Sequence, residues 1–193
     1  ILTMIMITII NKLMSYFENK TKEDIVKHDL VENLTSQEKV IVWGAREWLQ
    51  YIRLAKDPRE SLIKGFSPLL IQESVYHFDK FMRITAYSAI GSIDIRNHCC
   101  LKIGEGENNI LACLTFSQNN FKNLNQNILS SILNNNSLND GMRRIDEIAK
   151  SFTRAGFYFP IKKNYFLKAK VNPEDFNNVL FNQFNRNKLI KYY

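Results

Sequence analysis

His98-Cys99-Cys100 is the tripeptide whose residue types lend themselves most directly to chemistry. An imidazole beside a thiol, ahead of a helix N-terminus, favours the thiolate, which is the nucleophilic and metal-binding form of cysteine. A zinc site asks for more: two Cys or His a few residues apart, repeated further along the chain. Cys99 and Cys100 are adjacent, and neighbouring side chains of an extended segment point to opposite sides. The only further cysteine is Cys113, with Glu105 and Glu107 between. His98, Cys99 and Cys100 are therefore candidates for a thiol or metal site, set against the plainer role of free cysteine as a small buried hydrophobe. Nucleophilic catalysis finds no Gly-x-Ser-x-Gly elbow, and His28, His77 and His98 sit in no catalytic motif. Gly104-Glu105-Gly106 lacks the third glycine and the preceding strand of a phosphate-binding loop. No catalytic residue and no cofactor is assigned, and the balance leans away from an enzyme.

A second constellation lies nearer the C-terminus. Arg143, Arg144, Lys150 and Arg154 fall on one helix, and Lys162, Lys163, Lys168 and Lys170 follow it, interleaved with Phe157, Tyr158, Phe159, Tyr165 and Phe166. Basic residues with aromatics are the footprint of a protein that stacks on unpaired bases. Against this, Glu147 lies between Arg143 and Lys150, and Asp146 is spaced to pair with Lys150, as on any solvated helix face. The aromatics serve equally well as core.

Composition frames both. The chain has 193 residues, 45% hydrophobic and 23% charged. That is enough apolar content for one packed domain, and it excludes wholesale disorder, collagen-like repeats and a disulfide-stapled miniature. The net charge of +7 is uneven: residues 1–120 hold 14 basic and 14 acidic residues, residues 121–193 hold 12 and 5. Such asymmetry marks a surface for nucleic acid or acidic lipid, or simply the Lys- and Asn-rich composition, since net charge bears on solubility before it bears on a site. The apolar run Ile1–Ile10 is too short to span a membrane and has no positive charge ahead of it, as a secretory signal would. Residues 1–13 are expected to be a non-native or disordered extension, with Met14 the natural start. Residues 14–133 then form a neutral helical core, and 134–193 a basic helical part of the same domain. Three cysteines, an odd number, and the lack of a signal point to the cytoplasm.

The elements that position these residues read as helices. Thr35-Ser36-Gln37-Glu38 is a capping box, followed by a stripe of Ile41, Ala45, Trp48, Ile52 and Ala55, with Gly44 at its edge as a point of close approach. Trp43 and Leu54 fall on the opposite side, so this helix is covered on more than one face. Asp57-Pro58 ends it and permits a short helix over 59–65. Ser67-Pro68 starts a helix expected to run to Ala89 with Ile71, Val75, Phe78 and Met82 inward. The alternation of Ile93 and Ile95 with Asp94 and Arg96 predicts a short extended segment near 92–99. Glu105 and Glu107 favour the start of a helix carrying Ile110, Leu111 and Leu114. A weaker helix over 121–133 precedes Asn134-Asn135-Asn136-Ser137, which reads as a loop and as the best boundary in the chain. Met142, Ile145, Ala149 and Phe152 form a stripe closed by Gly156. Beyond it, 157–171 reads as extended or looped, and Asn172-Pro173 as a helix start. The fold expected is all-α, a globular bundle of about six helices.

Cys100-x-x-Ile103-Gly104-x-x-Glu107-x-x-Ile110-Leu111, with Gln118 beyond, resembles a segment of a family of small uncharacterised bacterial helical proteins. The likeness covers about 20 residues. It implies a helical domain and no activity. By the residues themselves, Glu107 is accounted for by helix capping and Cys100 and Ile103 by core packing. The expected function is a small non-catalytic regulatory or accessory protein acting through an unidentified protein partner, with Trp43 and the aromatic C-terminal segment as contact surfaces. The alternatives are nucleic-acid binding through 143–170 and a thiol or metal site at His98–Cys100.

Overall fold

The computed structural model describes residues 30–171. Expectations that fall on residues 1–29 or 172–193, including the N-terminal extension, His28 and the Asn172-Pro173 helix start, lie outside it. Thr35 opens the first helix, α1 (Ser36–Arg53), as its sequence requires: the Glu38 carboxylate accepts the Thr35 N–H at 3.0 Å and its hydroxyl at 3.0 Å. Short α2 (Arg59–Phe66) packs across α1. Gly44 permits this, because a β-carbon there would lie 2.9 Å from the Phe66 ring and 3.3 Å from Phe78. Phe66 and Phe78 meet edge to face with centroids 5.3 Å apart, an arrangement that suits the ring quadrupoles.

The next helix, α3, spans Val75–Ser88 and not the whole stretch from Pro68. Ser67–Leu69 and Gln72–Ser74 are separate 3₁₀ turns, divided by Leu70 in the left-handed region at φ 57°. Ile71 is fully buried there, so the hydrophobic spacing that suggested one helix survives without helical backbone. Residues 92–99 form no strand; two isolated bridges, Leu30 with Lys102 and Ala89 with Leu133, are the β pairing among the described residues.

Helix α4 (Glu105–Gln118) is buried almost all round from Gly106 to Phe116. It packs against α5 (Lys122–Ser130) and α6 (Asn135–Arg154), and α6 in turn packs along α3. The asparagine run is a helix start and not a loop: Asn134 Oδ1 accepts the Ser137 N–H at 3.1 Å, the N-cap bond that leaves the next asparagine free to begin α6. Gly156, at φ 81°, ends α6 with the paired bonds Phe157 N–H to Phe152 O and Gly156 N–H to Thr153 O of a Schellman motif. Within the expected extended stretch, Lys163–Lys168 is instead a seventh helix, α7. It is short, but Tyr165, Phe166 and Ala169 are spaced to bury one face. The fold is thus all-α, seven helices without a sheet among the described residues, and none of these helices is long and apolar enough to cross a membrane.

Trp43, half-buried, lies across Gly65 of α2. A β-carbon at position 65 would come 2.0 Å from its Cζ3 atom. Gly65→Ala is therefore expected to destabilise the fold by about 1–3 kcal/mol, the usual cost of overpacking. Gly91→Ala, where nothing lies within 4 Å, should stay within about 0.5 kcal/mol of the parent in the same urea titration.

Candidate functional site

Arg46 sits on the inner side of α1 and is only 5% exposed. A buried guanidinium must find partners for its planar fork of donors. It finds them on α4 and on the loop ahead of it. Nε donates to Glu107 Oε1 at 2.7 Å and Nη2 to Oε2 at 3.0 Å, while Nη1 reaches the Cys100 carbonyl at 2.6 Å and Nη2 the Lys102 carbonyl at 2.9 Å. Glu107 also accepts the Arg96 N–H at 3.0 Å and the Gly104 N–H at 2.7 Å. One ion pair thereby fixes the loop from 96 to 104 at four backbone points. Gly104 is required at its end, since a β-carbon would fall 2.3 Å from the Asp94 carbonyl oxygen.

The fixed loop forms one wall of a groove of about 370 Å³ whose other wall is the C-terminal half of α1. Leu49 and Leu54 supply its apolar part, Arg53, Arg96 and His98 its rim, and Cys99 opens onto it. Of the tripeptide singled out by sequence, His98 turns its Nε2 to Glu47 Oε2 at 2.9 Å, and Glu47 Oε1 also accepts the Ser61 hydroxyl at 2.5 Å. Cys99 is exposed and Cys100 half-buried. Cys113 lies inside α4, where burial pushes its thiol far above the usual range. Among the described residues no three His, Cys, Asp or Glu side chains converge as a metal site would need.

The eight basic candidates do not share one set of neighbours. Arg143 and Arg144 both face Asp140, at 2.5 and 3.3 Å, and Arg144 Nη1 lies 3.2 Å from His77 Nδ1. Arg154 pairs with Glu73 at 2.7 Å. Lys150 pairs with Glu147 at 2.7 Å and not with Asp146, which takes the Ser117 hydroxyl instead. Lys162 reaches Glu38 of α1 at 2.6 Å, and Lys168 stands 3.6 Å from Glu105. Lys163 and Lys170 are exposed and show no ion pair among the described residues. Of the interleaved aromatics, Phe159, Tyr165 and Phe166 are buried and Phe157 half-buried, while Tyr158 is exposed. Tyr165 donates its hydroxyl to the buried Glu38 carboxylate at 3.2 Å, and burial, with that negative charge, raises the phenol well above its ordinary range.

Sequence reasoning passed over Arg46, Arg53 and Glu47. The one signal for Arg46 was its position, next to Ala45 and two residues before Trp48 on a helix covered on several sides. A charge on such an arc needs a buried counter-charge. Comparison with family models, with curated proteins and with solved structures gave no match.

Removing one partner of the Arg46–Glu107 pair leaves a buried charge alone, so Glu107→Gln should destabilise the protein by about 3–5 kcal/mol in chemical denaturation. The double change Arg46→Met, Glu107→Leu should recover only part of the loss, since neither charge is then left unpaired but the loop's backbone groups lose the partners the pair supplied. A milder effect belongs to His77. Burial, then the charge of Arg144, holds its pKa below the usual value, with Arg143 and Lys150 adding to the effect and Glu147 opposing it. The unfolded chain therefore takes up this proton more readily than the folded one. The contribution is fully present above the ordinary histidine pKa of about 6.5 and is lost as pH falls through the lowered folded value. The urea midpoint should drop as pH falls below the ordinary histidine range, and His77→Gln should flatten that slope.

Proposed function

We propose that this chain is a non-catalytic accessory or regulatory protein that works through protein–protein contact, with the groove between α1 and the 96–99 turn as its docking face. The observation that carries this reading is the groove itself. Leu54, 56% exposed, stands open beside a wall that the buried Arg46–Glu107 pair holds in place. A contact surface fixed in advance loses little freedom on binding, which favours affinity from a small area. Of the titratable groups that line the groove, Arg46, Arg96 and His98 are each paired with a carboxylate of the fold, which leaves Arg53 and Cys99 facing it without one among the described residues. Trp43 belongs to the α1–α2 packing, so the contact surface moves from that side chain to the C-terminal half of the helix.

A photo-crosslinking residue at position 54, introduced in the cells that make the protein, should give a discrete heavier species whose added mass resists nuclease and yields to protease. The same group at Leu70, exposed on a different segment, should not give that species. Blocking Cys99 with a bulky maleimide in a Cys100→Ser background should suppress it without changing the circular dichroism. No adduct at position 54, or one removed by nuclease, would overturn the reading, the latter in favour of nucleic acid.

A further inference from the structure

The charge around the groove says more about its occupant. Its lining includes three arginines and a histidine and no carboxylate. Three of these four are matched from behind: Arg46 by Glu107, Arg96 by Asp94 at 2.8 Å, and His98 by Glu47. Arg53 is different. Its Nη1 donates to the neutral amide oxygen of Asn97 at 3.3 Å, across the groove, and no carboxylate pairs with it among the described residues. A long bond from a guanidinium to a neutral amide is readily exchanged for a shorter one to a carboxylate, which guanidinium binds in a two-pronged fork. Leu54 adjoins Arg53, and Leu49 lies one turn back along the same side of α1, so the cationic donor and the apolar surface are presented together.

Resting on the docking reading above, we infer that the groove takes an acidic segment of a partner protein. One aliphatic side chain of that segment covers Leu49 and Leu54, and a neighbouring carboxylate replaces Asn97 on Arg53. The pattern suits a polypeptide better than a nucleic acid. Most of the surface is apolar, no Phe, Tyr or Trp ring lines it for a base to stack on, and a single guanidinium lacks an acidic partner where a phosphate chain would meet several.

The test uses the full chain and a fluorescein-labelled peptide, Gly-Asp-Leu-Glu-Glu-Leu-Asp-Gly, followed by anisotropy. Its counterpart with Asn and Gln in place of Asp and Glu should bind about tenfold more weakly, the difference one charge-assisted pair makes. Arg53→Gln should abolish that discrimination, and Arg53→Lys should restore only part of it. Both variants change an exposed side chain, and their circular dichroism and urea midpoints should match the parent. Leu54→Ser should weaken both peptides alike. Equal affinity for the acidic and neutral peptides, or discrimination that survives Arg53→Gln, overturns the acidic preference. If equal binding is also lost in Leu54→Ser, the groove remains a docking face without that preference. Failure of every peptide overturns this inference, whereas failure of the position-54 adduct overturns the docking reading beneath it. Displacement of the acidic peptide by a single-stranded oligonucleotide at physiological salt also counts against it.

Discussion

The pairing of Arg46 with Glu107 is the constraint on which the groove depends. Both side chains are removed from water, a step that costs several kcal/mol for each charge unless every donor and acceptor is taken up inside. Here four of the five guanidinium N–H groups and both carboxylate oxygens are taken up. The guanidinium spends its fork on two carboxylate oxygens and two carbonyls, and the carboxylate spends its remaining lone pairs on two backbone N–H groups. The loop between α3 and α4 has neither helix nor sheet to satisfy its backbone, and this pair supplies what they would have supplied.

The same device recurs along α1. Glu38, at its first turn, is buried and takes Lys162 and the Tyr165 hydroxyl from the C-terminal end of the described chain. Trp48, further along, donates its indole N–H to Asp79 of α3 at 2.8 Å, and Arg83 completes that carboxylate. Three polar links thus leave one helix for three different elements. Apolar packing alone is tolerant of sliding, whereas a buried hydrogen bond is either made or costly. These links fix where α1 stands against its neighbours. Gln118 does a similar service at the end of α4, bonding the Phe157 carbonyl at 2.9 Å and the Phe159 N–H at 2.8 Å, so that the stretch after α6 is held without secondary structure of its own.

What could be read from the sequence was what depends on near neighbours. The capping box at Thr35, the inward stripe of α6 and the Gly156 stop each involve residues within a few positions, and each stands as expected. Ser67-Pro68 misled because a start signal and a continuous hydrophobic pattern say nothing about a left-handed residue at Leu70 between them. The Asn134 run misled because composition suggests a loop while one asparagine in it caps a helix. At the site, His98–Cys100 marked the loop that walls the groove. Its chemistry drew attention to the thiols, whereas the side chains that build the groove are Arg46 and Arg53, whose meaning comes from partners at Glu107 and Asn97. No local pattern announces a partner 61 residues away. Likewise, Tyr165 and Phe166 could have faced bases or the core, and only the arrival of α7 against α4 decides between them.

Glu38 has a consequence in the order of assembly. Its partners lie 124 and 127 residues further along the chain. Helices form from local contacts and form quickly, but a tie across such a distance waits for the closing of a long loop. During synthesis α1 exists before Lys162 and Tyr165 do, and its first carboxylate keeps its water until they come. Helix α7 is therefore the piece that dries the opening turn of α1, so that among the described residues the first α-helix is completed by the last.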